Sequence, residues 1–141
     1  MEIPSKLRLE VVSVDRTLVD QMVDEVEIPG SEGYFGVLPG HAPLVALIGA
    51  GELWYRVGQE TVHMMVAEGY TEVLPNRVTV LTQVAERPEE INVARAEAAR
   101  KRAEDRMYST PLVEIDYERA RIALLKSLMR LQVASRARIR S

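Results

Sequence analysis

A period of two in the first 85 residues constrains this chain more than any other feature. Leu7, Leu9 and Val11 fall on one side of an extended segment, with Arg8 and Glu10 on the other. Val26 and Ile28 alternate with Glu25 and Glu27 in the same way. Successive side chains of a strand point to opposite faces, so this alternation predicts strands with one buried face. Further strand-like runs are 43–48, 52–57, 61–66, 70–74 and 77–82. They are separated by the turn-forming Gly49-Ala50-Gly51, Gly58-Gln59, Glu68-Gly69 and Pro75-Asn76. Many short strands, close turns and no helical period predict an antiparallel sandwich or barrel.

The period changes at Arg87-Pro88. Proline is tolerated in a first helical turn, and Glu89-Glu90 suits its positive dipole end, so a helix is predicted from here to Met107 or Tyr108. Ala96, Ala99, Ala103 and Met107 give it a narrow apolar stripe, and Glu97–Lys101 is a favourable i, i+4 pair. Ser109-Thr110-Pro111 interrupts. Asp116 is the predicted N-cap of a second helix, with Glu118 in its first turn and a seam of Ala120 or Arg121, Leu124, Leu128 and Leu131. Arg136, Arg138 and Arg140 are expected to follow its end. The predicted organisation is therefore β plus α, with an N-terminal antiparallel β-sandwich over residues 1–86. A C-terminal antiparallel two-helix hairpin, one helix Ala-lined and one Leu-lined, follows over residues 87–141.

Charge divides at the same place. Residues 1–87 carry 6 basic and 13 acidic side chains, a net of −7, whereas residues 88–141 carry 12 and 8, a net of +4. From Arg119 to Ser141 there are seven basic residues and no acidic one, which predicts a different partner for the second module. A basic amphipathic helix can also serve a membrane or a nucleic acid, but this one has no aromatic beyond Tyr117.

Several chemistries are excluded. With no cysteine, there is no disulfide framework, thiolate ligand or thiol nucleophile. His41 and His63 stand far apart, and no further histidine completes a zinc set. Asp15, Asp20, Asp24, Glu25 and Glu27 lack the spacing of a calcium loop. No apolar run approaches the ~20 residues of a membrane span, and Met1-Glu2-Ile3-Pro4-Ser5-Lys6 does not resemble a signal peptide, so a cytoplasmic protein is expected. No nucleophile, base and oxyanion donors are joined by a motif, which argues against an enzyme.

One stretch remains, Gly30-Ser31-Glu32-Gly33-Tyr34-Phe35-Gly36-Val37-Leu38-Pro39-Gly40-His41-Ala42-Pro43-Leu44. Its composition predicts a rigid, shaped loop between strands. No Gly-Lys-Ser/Thr follows its glycines, so it is not a P-loop. The order Gly-Ser-Glu-Gly-x-x-Gly-x-x-Pro-Gly-His-Ala-Pro-Leu resembles the signature loop of the epsilon subunits of rotary F-type ATP synthases, and the likeness extends over essentially the whole chain.

That resemblance implies a flattened β-sandwich and a non-catalytic central-stalk role, linking the gamma subunit to the ring of c subunits. It places Ser31, Glu32, Gly33, Tyr34 and His41 against the c ring. It implies that the helical hairpin is mobile and blocks ATP hydrolysis by reaching an acidic segment of the catalytic alpha/beta subunits, with Arg119, Arg121, Lys126 and Arg130 as contacts. Some bacterial members bind ATP through Ile/Leu-Asp-x-x-Arg-Ala. Here the motif reads Ile91-Asn92-Val93-Ala94-Arg95-Ala96, with Asn92 in place of the carboxylate. Glu86, Arg95, Arg102, Lys126 and Arg130 stand at the matching positions, so a weakened ATP site is implied and no obligatory cofactor. The competing reading is an ATP-sensing module whose hairpin closes over nucleotide. The implied location is peripheral, on the cytoplasmic face of the cell inner membrane, with no nucleic-acid partner and no insertion into the bilayer.

Overall fold

The alternating segments form strands, and their inward residues meet in one core. The computed structural model describes residues 3–108 and 114–140. The chain divides into two units, Met1–Glu86 and Arg87–Ser141. The first contains β1 (Leu7–Ser13), β2 (Thr17–Val23), β3 (Glu25–Gly30), β4 (Gly33–Val37), β5 (Leu44–Ile48), β6 (Gly51–Val57), β7 (Glu60–Leu74) and β8 (Arg77–Glu86). They pair in the order β2-β1-β8-β7-β5-β3-β4, with β6 joined to both β3 and β7, and the result is a β-sandwich. Leu7, Leu9 and Val11 of β1, Val26 and Ile28 of β3, Leu53 of β6 and Val78 and Val80 of β8 lie in its core. Burying each leucine or isoleucine there contributes about 1.5–3 kcal/mol.

Three differences from the sequence reading have physical causes. β2 is absent from the strand-like runs of the sequence because Leu18 and Val19, both buried, break the period of two. Val11 pairs with Val19 and Val12 with Thr17, so Leu18 is the extra residue of a β-bulge. The runs 61–66 and 70–74 are one strand, β7, and Glu68-Gly69 is not a turn. Glu68 takes a positive φ of 63°; residues before it pair with β6 and residues after it with β5, while β8 pairs along the other edge from Met65 to Leu74. Finally, β1 and β8 run parallel, from Arg8↔Arg77 to Ser13↔Thr82, within an otherwise antiparallel network.

Asp24 pins one corner. Its carboxylate accepts hydrogen bonds from Lys6 Nζ at 2.6 Å and from the Gly58 amide at 2.6 Å, with Arg56 Nη1 at 3.6 Å. Those bonds, the Lys6 one foremost, hold the Asp24 carboxyl below its ordinary range.

In the second unit the helix start lies later than predicted. Pro88–Glu90 is a single 3-10 turn, closed by the Glu90 carboxylate accepting from Arg87 N at 2.7 Å. Helix α1 (Val93–Tyr108) then begins with Asn92 as its cap. Asn92 Oδ1 accepts the Arg95 amide at 3.0 Å and its carbonyl accepts the Ala96 amide at 3.0 Å. Helix α2 (Glu114–Arg140) begins before Asp116, so Asp116 is not its cap, and Glu118 falls beyond the first turn. It also continues through Arg136, Arg138 and Arg140. The predicted Ser109-Thr110-Pro111 interruption lies outside the described residues.

The predicted seam holds at Ala120, is half-buried at Leu124 and Leu131, and is corrected at Leu128 and Arg121. Leu128 is 41% exposed and Arg121 is exposed, whereas Ala120, Ser127 and Ala134, seven apart, are buried. Ala99 and Ala103 of α1 lie beside Ala120 and Ala123, so late turns of one helix meet early turns of the other, as antiparallel helices do. Small side chains allow that close approach. Glu97 pairs with Arg100 at 2.9 Å rather than with Lys101, and Arg100 also reaches Glu104 at 2.7 Å. These two carboxylates raise the Arg100 pKa above its ordinary value.

Candidate functional site

The signature stretch is a hairpin followed by a loop, where a loop alone was expected. β3 and β4 pair from Val26↔Val37 to Gly30↔Gly33, leaving Ser31 and Glu32 as an exposed two-residue tip. Beyond β4, Leu38-Pro39-Gly40-His41 forms a turn in which the His41 amide donates to Leu38 O at 3.1 Å. Proline second and Gly40 third, at φ 88°, are the residues a type II turn demands. His41 Nδ1 donates to Ala42 O at 2.7 Å.

The tip borders a groove of about 610 Å³ lined by residues 30–35 on one side and 44–47 on the other. Ser31, Glu32, Gly33 and Tyr34 are thus brought together, whereas half-buried His41 belongs to the following turn and does not line the groove. The Ser31 amide ties the tip to β5 by donating to Leu47 O at 2.9 Å.

A second surface was missed by sequence reasoning. Leu47 lies opposite Tyr70, Tyr70 opposite Leu81, and Leu81 opposite Val12, so four apolar side chains cross β5, β7, β8 and β1 in one row. Leu47 is 67% exposed and Tyr70 47%, and Val45 beside them is 69% exposed. The row's exposed end at Val45, Leu47 and Tyr70 makes this face a candidate interaction site. Its signal was present in Leu44-Val45-Ala46-Leu47-Ile48, a strand apolar on both faces in a sandwich that buries only one.

On the helical unit, Arg102, Arg106 and Arg119 border a groove of about 360 Å³ floored by Ala99, Ala103, Ala120 and Ala123. Among the described residues no carboxylate pairs with Arg102 or Arg119, whereas Arg121 is held by Glu118 at 2.9 Å. That bond keeps the Glu118 carboxyl below its ordinary range. Arg106 was missed, although its spacing of four from Arg102 puts both on one helix face. Of the residues assigned to a nucleotide site, Ile91 and Ala96 are buried, Arg95 and Arg102 exposed, and Lys126 and Arg130 half-buried. Glu86 ends β8 in the other unit. Asn92 uses one lone pair of its side-chain oxygen on the helix cap and keeps the other, with its amide NH2, for a ligand. Among the described residues no helix is long and apolar enough to cross a membrane.

Comparison with known proteins places this architecture. The model of the ATP synthase delta/epsilon chain β-sandwich domain matches residues 6–88, and that of the long α-helix domain of the same chain matches residues 89–135. The chain is 44% identical over 131 residues to the ATP synthase epsilon chain of Syntrophobacter fumaroxidans, covering 93% of this chain and 97% of that one. It is 48% identical over 101 residues to the ATP synthase epsilon chain of Koribacter versatilis, covering 72% and 71%. It also resembles a chain in the cryo-EM structure of the Euglena gracilis mitochondrial ATP synthase with OSCP, F1 and c-ring. There the TM-score is 0.82 and the identity 25%, over 95% of this chain and 84% of that one. With both domain models matched in order from residue 6 to residue 135, the chain belongs to the ATP synthase delta/epsilon chain family.

Proposed function

We propose that the chain is a non-catalytic central-stalk subunit of the proton-translocating ATP synthase. In this reading its β unit joins the gamma subunit to the c ring, and its helices restrain ATP hydrolysis. The observation that carries the reading is that one sandwich exposes an apolar row through Leu47 and Tyr70 and, bordering it at Leu47, a polar hairpin tip at Ser31-Glu32. We assign the apolar row to gamma, since burying it is favourable at about 25 cal/mol per Å². The tip is assigned to the c ring. The subunit then sits peripherally on the cytoplasmic face of the cell inner membrane.

The inhibitory role rests on charge. Arg119 and Arg121 are exposed, Lys126 and Arg130 are half-buried, and no acidic residue follows Arg119, so this helix suits an acidic segment of the catalytic subunits. Deleting residues 112–141 is expected to raise steady-state ATP hydrolysis by the assembled enzyme while leaving synthesis and assembly largely intact. Added salt should weaken inhibition by the intact chain. Equal turnover with and without the helix, across salt and ATP concentrations, refutes it. ATP, if bound at the Asn92 motif, acts here as a weak regulator and not as a cofactor.

A further inference from the structure

Tyr34 is half exposed, and its ring borders the groove beside the Ser31-Glu32 tip. Its hydroxyl points back into the sheet and accepts the Glu52 amide at 3.1 Å. The β3–β6 ladder ends at Glu27↔Trp54. Beyond it Pro29 has no N–H, and its carbonyl accepts the Gly49 amide at 2.9 Å. The phenol therefore reaches from β4 over β3 to β6, at the point where β3 itself stops pairing with β6.

Gly51 keeps that path open. A Cβ at this position would lie 2.5 Å from the Tyr34 hydroxyl and 2.5 Å from Pro29 Cβ. The glycine is thus required by close approach, and the strand that follows is built around the phenol.

Besides the pairing of β3 with β5 and β6 and the Gly49 amide on Pro29 O, two bonds tie the tip and β4 to the sheet. One is the Ser31 amide on Leu47 O, which holds the tip to β5. The other is the Tyr34 hydroxyl on Glu52, which holds β4 to β6. The bonds at Pro29 and Ser31 hold the β3 side of the hairpin and the Tyr34 hydroxyl ties its β4 side, so that together they set the angle of the tip to β5. We propose that Tyr34 is a positioning residue whose hydroxyl, bound to the Glu52 amide, fixes the angle at which the Ser31-Glu32 tip is presented for docking. This rests on the reading of the tip as a docking surface. The resemblance sets Tyr34 itself against the ring; in this proposal it acts through the tip.

The test is Tyr34→Phe in the full chain, which keeps the ring in the groove and removes only the oxygen. Three readouts are needed: exchange of the Glu52 amide, backbone order parameters of Ser31 and Glu32, and affinity for an ATP synthase complex depleted of this subunit. Loss of one hydrogen bond is expected to speed Glu52 exchange about tenfold and to weaken docking roughly fivefold. The Ser31 and Glu32 order parameters should fall with it. If Glu52 exchange rises while tip order and affinity stay unchanged, the bond is structural only and the proposal is overturned. If affinity falls with tip order unchanged, Tyr34 acts by direct contact, and the proposal is again overturned. Glu32→Lys separates the two readings. Retained affinity in that variant defeats the docking surface itself, and the order parameters of Tyr34→Phe still decide whether the hydroxyl positions the tip.

Discussion

Two leucines six residues apart offer a direct test of the assembly surface. Leu53 is fully buried in β6, and Leu47 is 67% exposed on β5. Replacing Leu53 with alanine removes packed atoms and leaves a cavity, which costs about 2–5 kcal/mol of folding stability. Replacing Leu47 with alanine removes atoms already in water, so the cost to folding should stay within about 0.5 kcal/mol. Docking reverses the order. Fully burying a leucine is worth about 1.5–3 kcal/mol, so the exposed two-thirds of Leu47 represents about 1–2 kcal/mol on association. That corresponds to a roughly five- to thirtyfold rise in dissociation constant. The assay pairs guanidinium unfolding of both variants with titration onto an ATP synthase complex depleted of this subunit. The expected result is normal unfolding with weakened binding for Leu47→Ala, and a lowered midpoint for Leu53→Ala. Unchanged binding by Leu47→Ala, or a loss of stability matching that of Leu53→Ala, refutes the assignment of this row as an interface.

Three other outcomes follow from named contacts. Asn92→Ala removes the α1 cap and should cost about 1 kcal/mol in thermal unfolding, whereas Asn92→Asp keeps the cap and should tighten ATP binding by calorimetry; equal ATP affinity in the native chain and Asn92→Asp would show the carboxylate is not the controlling difference. Asp24 is held below its ordinary pKa by Lys6 and the Gly58 amide, so its contribution is full above the ordinary carboxylate range and is lost as pH falls through its lowered value. Thermal melts of the native chain and Asp24→Asn should therefore differ most near neutrality and converge in acid; a constant difference would sink this linkage. A chain ending at Glu86 should still melt cooperatively, because residues of β1, β3, β6 and β8 share a core within the first unit; a non-cooperative melt would show that this core is insufficient.

How much of this was legible beforehand depended on whether the information was local. The period of two in β1 and β3, and the alanine stripe of α1, are local and appear in the structure as written. The type II turn at Leu38–His41 is also local, since proline and glycine at fixed offsets set its dihedrals. The helix start was misread because two local signals competed. Pro88-Glu89-Glu90 is a good first turn, but Asn92 caps the Arg95 amide and its carbonyl accepts the Ala96 amide, so α1 starts at Val93.

Pairing and exposure were decided only in three dimensions. The bulge at Leu18 follows from the register of β2 on β1, and the union of two predicted strands into β7 follows from having β8 along one edge of both. The outward row of Val12, Leu47, Tyr70 and Leu81 draws one residue from each of four strands, so a single window shows only its β5 member, in the doubly apolar Leu44–Ile48. The bond from Tyr34 to Glu52 is of the same kind, since its partner lies 18 residues away. Amino-acid order determined which segments extend or coil, because those preferences act over a few residues. Which faces met and which were left open depended on strand order, because that joins residues the chain holds far apart.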